Sequence, residues 1–462
     1  MEHFDIIVIG SGPGGYRAAI LSALAGKRVA IVEKAQWGGC CLNRGCVPKK
    51  DWYHTARLVE AASQGADRGL EGTLQANLAQ AWLHQQQVVN TVRENYVNYL
   101  QRLGVARFSG TGSLVDAHTV AIAQVDGSSQ TLTAGFIVLA TGSSPIVPPA
   151  LPETAGRILT TDTLFDQPPP PGRRIAIIGG GVVGVEFAYI FKQFGFTVSW
   201  YSPGRALARA GFSPQAMNIL LQSLRAQGIT PIKARPQLVG ISETGVRLGG
   251  DGSDVEVDWV LLGTGRKPHT TALGLEKTAA TTNAAGFINT DAHLQTAEPN
   301  IYAIGDCTSP ELTANQALAD ATVAIHNILR GNSRQRDPLW VPKVVYSAVA
   351  LARLGMNDDQ AEDAGFEPAI GFAAYASSPQ ALGQDDSQGF VRLLADMDSG
   401  QLLGGEIVGA EAGELIHLLN ARSDAPLDAR TLAQSFYNHP ARAEEVLNAV
   451  ETMVSKWGIG DS

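Results

Sequence analysis

Cys41 and Cys46 stand five positions apart in the run Gly38-Gly39-Cys40-Cys41-Leu42-Asn43-Arg44-Gly45-Cys46-Val47-Pro48-Lys49-Lys50. Two thiols at that spacing can close a short loop if the backbone bends, for instance as a helical turn. Such a loop is opened by two electrons and re-formed when they leave. The chain has four cysteines in 462 residues; Cys40, Cys41 and Cys46 fall within seven positions, and Cys307 is isolated. So few cysteines in so long a chain do not make a secreted disulfide scaffold, and their clustering points to redox chemistry or to metal. Zinc would require about four ligands, and no second Cys/His cluster of the usual spacing occurs. Redox chemistry is favoured, with no metal assigned.

The elements around this segment must bring an electron carrier to it. Asp5-Ile6-Ile7-Val8-Ile9 is an apolar run of β-formers, followed by Gly10-Ser11-Gly12-Pro13-Gly14-Gly15, a helical stretch Tyr16 to Ala25, and a second strand-like run Arg28 to Val32 that ends at Glu33. Gly10, Gly12 and Gly15 form G-x-G-x-x-G between strand and helix. The three glycines serve a tight turn, close approach of a pyrophosphate, and close helix–strand packing. The helix N-terminus offers its N–H groups to the phosphates. Glu33, 23 residues after Gly10, is placed to accept hydrogen bonds from a ribose diol.

The same grammar returns downstream. Arg174 to Ile178 leads into Gly179-Gly180-Gly181-Val182-Val183-Gly184, a helical stretch Val185 to Phe194, and a strand Phe196 to Trp200. The position equivalent to Glu33 is Ser202, with Arg205 and Arg209 beyond it. A missing acid and nearby arginines leave room for a 2′-phosphate, so NAD is expected with NADP not excluded. Two nucleotide-binding units in one chain are the main architectural expectation. Pro145, Pro148 and Pro149, and the run Pro168 to Pro171, mark the joints between them. Beyond Pro338 mixed strands (Lys343 to Ser347, Gly389 to Ala395, Leu402 to Val408) alternate with helices. In the last helix Val446, Leu447, Val450, Met453, Val454 and Trp457 form a packed apolar face.

Composition agrees. Hydrophobic residues at 45% and charged residues at 17% allow large cores. A net charge of −9 argues against a nucleic-acid partner. No apolar run approaches the length of a membrane span, and Met1-Glu2-His3-Phe4-Asp5 has no basic region ahead of an apolar stretch, so a cytoplasmic location is expected.

Together these motifs resemble the pyridine nucleotide-disulfide oxidoreductases with a C-x4-C active site. The resemblance covers essentially the whole chain in family order. It runs through Gly10 to Gly15, Cys41 to Cys46, Ala140-Thr141-Gly142, the second glycine turn with Glu186, Gly263-Thr264-Gly265-Arg266, Ala303-Ile304-Gly305-Asp306, and His439-Pro440 with Glu444. It implies an α/β fold with two Rossmann-like dinucleotide-binding domains and a C-terminal α+β dimerisation domain. The implied divisions are an FAD domain (1–148 and 269–337) interrupted by an NAD(P) domain (149–268), and a dimerisation domain from 338 to 462. Cys46 resembles the sulfur nearest the flavin and Cys41 the interchange thiol that meets substrate. Lys50 and Glu186 resemble the ion pair beside the flavin. His439 resembles the acid/base supplied by the other subunit of a homodimer, and Glu444 the carboxylate that orients it. The chemistry suits those roles: a thiolate must form, an imidazole titrates near neutrality, and a carboxylate on its second nitrogen fixes the tautomer. Gly10, Gly12, Gly14, Gly15, Glu33, Lys34, Gly39, Lys50, Thr141, Gly142, Gly305 and Asp306 fall to FAD. Gly179, Gly181, Gly184, Glu186, Ser202, Arg205 and Gly265 fall to the nicotinamide nucleotide.

Within the family, Gly14-Gly15-Tyr16, Cys41-Leu42-Asn43-Arg44-Gly45-Cys46 and Gly184-Val185-Glu186-Phe187-Ala188 resemble the dihydrolipoamide dehydrogenase branch. This implies a dihydrolipoyl group, free or on a carrier protein, as substrate. Val47-Pro48-Lys49-Lys50, Leu312-Thr313 and Ser202 resemble glutathione reductase, which implies the opposite direction with NADPH. Three departures stand out: Cys40 where threonine is usual, Ser202 where an acid is expected, and Ala441-Arg442-Ala443 after His439-Pro440. Cys40 either competes for pairing or fills space. Arg442 is expected to line the substrate mouth, favouring an acidic or protein-carried substrate, or else to point to solvent. These departures also keep open a catalytically poor flavoprotein with a structural or docking role.

Overall fold

The computed structural model describes residues 2–124, 126–154, 156–250, 254–420 and 427–455. They form two compact units: one of 1–179, 193–201 and 234–336, the other of 180–192, 202–233 and 337–462.

The first unit is built on β1 (Glu2–Ile9), α1 (Pro13–Leu24), β2 (Val29–Glu33), α2 (Gly39–Arg44), α3 (Cys46–Ser63), α4 (Leu78–Arg102), β3 (Ala106–Ser109), β4 (Thr111–Leu114), β5 (Thr119–Ala123) and β6 (Ser129–Leu139). The strands lie in the order β3-β2-β1-β6-β5-β4, with Ile301–Ala303 also paired to β6. β3, β2, β1, β6 and Ile301–Ala303 run parallel, whereas β6, β5 and β4 form an antiparallel meander. Strands buried on both faces read as near-continuous apolar runs, and β1 and β2 do so through Ile6 to Ile9 and Val29 to Val32. From β1 the chain crosses to β2 on one side, while β6 lies on the other. The crevice at the carboxyl ends of β1 and β6 is therefore the switch point where such sheets bind ligands. Three expected FAD segments emerge there: the turn from Gly10 follows β1, Thr141-Gly142 follows β6, and Gly305-Asp306 follows Ile301–Ala303.

The same unit holds a second, all-parallel sheet in the order Thr197–Tyr201, Arg174–Ile178, Trp259–Leu262, Ile158–Thr160. An antiparallel pairing of Arg266–Pro268 with Ser143–Pro145 brings two distant segments side by side.

In the second unit five antiparallel strands lie in the order Lys343–Val345, Leu351–Gly355, Leu402–Val408, Phe390–Asp396, Pro368–Ala374. The helix Glu444–Val454 buries Val446, Val450, Met453 and Val454 in the core of this sheet, as their spacing requires. Trp457, the outermost member of that stripe in the sequence, lies outside the described residues. The helix Val182–Gln193 and the helix Pro214–Ala226 also supply contacts here: Ser347 Oγ donates to Val185 O at 3.1 Å, and the Glu406 carboxylate accepts from Ser213 N–H at 2.8 Å.

The first glycine turn separates steric need from ligand room. A Cβ on Gly15 would lie 1.9 Å from Gly10 O, whereas one on Gly12 would meet nothing within 4 Å. Gly15→Ala is therefore expected to cost about 1–3 kcal/mol in chemical denaturation. Gly12→Ala, in ordinary backbone geometry (φ −61°), should leave stability within about 0.5 kcal/mol while weakening cofactor retention. Equal stability losses for the two variants would contradict this assignment.

Candidate active site

The site grows from the turn after β1. Pro13 opens α1, and Gly12 caps it with an extended backbone. Glu33, at the end of β2 and nearly buried, fastens β2 to the turn. Its Oε2 accepts from Ser11 N–H at 2.9 Å and Ser11 Oγ at 2.7 Å, and its Oε1 from Ala35 N–H at 2.9 Å. Ser11 Oγ in turn accepts from Gly38 N–H at 3.0 Å, tying the cysteine segment to the same turn. Gly39 takes a left-handed φ of +62°, and a Cβ there would come 2.7 Å from Gly12 Cα, so the run before the cysteines lies directly on the turn. A fixed carboxylate beside a glycine turn with open space at Gly12 fits the ribose and pyrophosphate of FAD. Lys34 follows Glu33 at the exposed surface.

The sulfur segment is two helices with a break. α2 carries Cys40 and Cys41, Gly45 interrupts at φ −132° and ψ −109°, and Cys46 is the first residue of α3. A Cβ on Gly45 would lie 3.2 Å from Cys41 Cα, so the chain doubles back closely here. The break brings Cys46 against Cys41: side-chain and backbone hydrogen bonds join them. That contact with the Cys46 side chain, ahead of burial, holds the Cys41 thiol well above its ordinary pKa. Asn43 secures α2 by donating to Gly39 O at 2.8 Å and accepting from Arg93 of α4 at 2.9 Å. Tyr96, further along α4, stacks on Tyr16 with ring centroids 3.9 Å apart. Burial and then the two sulfurs raise its phenol pKa.

Cys40 is neither loose filler nor the partner of that contact. Arg266 Nη2 approaches its sulfur at 3.4 Å, and Asp162 Oδ1 lies at 3.8 Å. Arg266 also donates to Ser143 Oγ and Ser143 O, both at 2.8 Å, and Ser143 Oγ donates to Asp306 Oδ2 at 2.6 Å. Burial pushes the Cys40 thiol up to about 12 and also raises the Asp306 carboxyl. Gly305 takes a left-handed φ of +71° beside Ala317, and its N–H donates to the buried Asp320 at 3.0 Å. Asp320 is neutralised by Arg336 at 2.8 Å. Thr141 Oγ1 donates to His269 O at 2.6 Å, which closes the Thr141-Gly142 segment.

At the second glycine turn Gly179 has a φ of +134°, and a Cβ on Gly181 would meet nothing within 4 Å. Gly184 is buried in its helix. Ser202 is 1% exposed, and its hydroxyl turns back to Gly204 O at 3.1 Å, so it serves the loop. Arg205 and Arg209 are exposed. Gly265 takes a φ of +108° before Arg266.

Lys50, exposed on α3, lies over the Tyr53 ring at 5.6 Å. In the second unit Glu186, 4% exposed, accepts from Tyr346 N–H at 2.9 Å. There too His439 Nδ1 is 2.8 Å from Glu444 Oε1, while Glu444 Oε2 accepts from Ala441 N–H at 2.8 Å. The His439 side chain is 72% exposed. Its hydrogen bond, then the Ala441 N–H, lowers the Glu444 pKa, so this carboxylate stays ionised to lower pH than an ordinary glutamate. The peptide His439–Pro440 is cis. Arg442 does not point to solvent: it is 3% exposed and stacked on Tyr375. Its neighbours Gln384, Asp386 and Glu445 satisfy a cation that sequence alone places at the surface.

Sequence reasoning missed Ser11, Ser143, Tyr96 and Arg442's inward turn. Ser11 lies inside the recognised turn and could have been found there; the others depend on contacts between distant segments. The Cys40 environment has a direct consequence. In a Cys41→Ser/Cys46→Ser variant, Cys40 should react with iodoacetamide at about pH 8 at least tenfold more slowly than an ordinary thiol, because raising its pKa depletes the thiolate. Mass-spectrometric rates as fast as those of an ordinary thiol would contradict the burial of Cys40.

Known proteins resemble this chain along nearly its whole length. Residues 4–326 match the family described as pyridine nucleotide-disulphide oxidoreductase, and residues 341–450 match its dimerisation domain. The chain is 30% identical over 459 residues to a dihydrolipoyl dehydrogenase of Bacillus subtilis, covering 97% of this chain and 96% of that one. It is 31% identical over 462 residues to the dihydrolipoyl dehydrogenase of Chlorobaculum tepidum, covering 98% of each. The HOCl-induced flavoprotein disulfide reductase RclA of Escherichia coli, solved as a Cu(II) complex, superposes with a TM-score of 0.84 at 25% identity, over 98% of this chain and 100% of that one. LpdA of Mycobacterium tuberculosis shares the fold, with a TM-score of 0.90 at 23% identity over 98% and 99% of the two chains. With both its nucleotide-binding and dimerisation regions matched, this chain belongs to the pyridine nucleotide-disulphide oxidoreductase family.

Proposed function

We propose that the chain is a cytoplasmic, homodimeric dihydrolipoyl dehydrogenase that oxidises a dihydrolipoyl group, free or on a carrier protein, with NAD(+) as acceptor. The observation that carries this reading is the direct hydrogen-bonding contact between Cys41 and Cys46, held on the first glycine turn. The full-length relatives named dihydrolipoyl dehydrogenase support the choice of substrate. We assign 1–148 and 269–337 to FAD, 149–268 to the nicotinamide nucleotide and 338–462 to the dimer.

The first turn, Glu33, Thr141-Gly142 and Asp306 would hold FAD, which would supply a two-electron carrier between the sulfur pair and NAD(+). The protein moves protons and sulfur. His439, oriented by Glu444, takes the proton of one substrate thiol. The resulting thiolate attacks Cys41, the Cys41–Cys46 bond breaks, and Cys46 leaves as a thiolate. The second substrate thiol then attacks the sulfur joined to Cys41. The cyclic disulfide product departs, and Cys41, leaving as a thiolate, takes up the proton that the second substrate thiol releases. Two electrons have passed from substrate to the cysteine pair. Lys50 and Glu186 are assigned the ion pair that sets the charge beside the flavin.

A second reading is favoured by Ser202, whose hydroxyl is turned into its own loop where an acid would select NAD, and by the likeness to RclA. It is an NADPH-dependent disulfide reductase. Steady-state assays separate the two. Turnover of dihydrolipoamide with NAD(+) should exceed turnover of oxidised glutathione with NADPH by at least about 100-fold in kcat/KM. Activity confined to the NADPH pairing would overturn the first reading. No turnover in either, with FAD retained, would support a docking role instead.

A further inference from the structure

The segment around His439 sends its side chains to opposite sides. The imidazole is 72% exposed, yet three residues later Arg442 is 3% exposed. Arginine is almost never buried without partners, so its burial here needs a cause. The guanidinium lies over the Tyr375 ring at 4.9 Å, and Tyr375 is itself fully buried, its hydroxyl donating to Ala410 O at 3.1 Å. Nη2 and Nε donate to Gln384 Oε1 at 3.0 and 3.3 Å, and Nη1 and Nη2 reach Asp386 O at 3.4 Å. The carboxylates of Asp386 and Glu445 each lie 3.7 Å away. Glu445 is 1% exposed; burial raises its carboxyl, and Ser378 and Arg442 draw it back down.

All of these anchors except Glu445 and Ala410 belong to residues 375–386, between the strands Pro368–Ala374 and Phe390–Asp396. The other end of the connection is the catalytic turn. Glu444 N–H donates to Ala441 O and Glu445 N–H to Arg442 O, both at 3.1 Å, so Arg442 lies inside the turn that leads into the helix Glu444–Val454. The bonds from Glu444 to His439 and Ala441 hold the turn to itself; the guanidinium fastens it to the connection 375–386.

We infer that Arg442 is a positioning residue for His439, clamping the turn 439–444 to the loop 375–386 so that the imidazole is presented outward with its Nδ1 on Glu444. The inference rests on the assignment of His439 as the acid/base. Loss of the clamp leaves the imidazole chemically intact but misplaced, and small misplacements slow proton transfer steeply.

The test uses the FAD-loaded enzyme and separates its two half-reactions by rapid mixing: reduction of the flavin by NADH, in which His439 takes no part, and thiol–disulfide interchange, which requires it. Arg442→Met should slow interchange by about 10- to 100-fold while changing flavin reduction by no more than about twofold. In a His439→Gln background the same substitution should add less than about threefold, since both act on one step. Arg442→Met also strips Glu445 of a buried counter-ion and endangers folding. Gln384→Ala is therefore the second variant: Gln384 is exposed, and its loss removes two bonds to the guanidinium while leaving the Glu445 pair in place. It should slow interchange by about three- to tenfold. Equal losses in both half-reactions, effects that multiply with His439→Gln, or unchanged interchange in Gln384→Ala would overturn the inference. Unimpaired interchange in His439→Gln alone would overturn the acid/base assignment, and this inference with it.

Discussion

The structure depends on two sulfurs being forced into contact by a break between two helices. In a continuous helix, residues five apart point to different faces and do not meet. Gly45 ends α2, its neighbour Cys46 begins α3, and the turn between them returns the chain onto Cys41. The contact with Cys46 raises the Cys41 thiol above its ordinary range. A few contacts in the first unit hold that pair beside the first glycine turn. Gly39 rests on Gly12, Ser11 bonds both Glu33 and Gly38, and Asn43 ties α2 to α4.

Burial sorts the remaining thiols by electrostatics. Cys40 adjoins Cys41 in sequence, yet its sulfur sits in a polar chain of Arg266, Ser143 and Asp306 that runs to the segment after Ile301–Ala303. Burial outweighs the nearby guanidinium and keeps it protonated. Cys307, fully buried against main-chain carbonyls, is likewise raised, to about 11. Cys40 thus packs among polar groups as a thiol whose thiolate form is disfavoured.

Much of this was legible in the sequence, for definite physical reasons. Strands such as Arg174–Ile178 and Leu402–Val408 were bounded correctly because they are continuous apolar runs between turn residues. The first helix begins at Pro13, three residues before the Tyr16 start read from the pattern, because proline and the paired glycines are tolerated in a first turn. The pairing of His439 with Glu444 rested on family order, and the structure brings the two to 2.8 Å. The long helix α4 was not identified: its core-facing residues Ala81, Gln85 and Val89 give a weak apolar period. Arg442 was misjudged because charge alone suggests a surface, whereas Tyr375, Gln384 and Glu445 create an interior place for it. Arg266 beside Cys40 needed the strand pairing of 266–268 with 143–145, a long-range contact with no local sign.

The most direct measurement is differential alkylation of the FAD-bound protein before and after anaerobic addition of NADH, with peptide mapping of all four cysteines. Cys41 and Cys46 should be joined before reduction and both become alkylated after it, while the state of Cys40 and Cys307 does not change. A bridge that includes Cys40, or a Cys41–Cys46 pair indifferent to NADH, would contradict this.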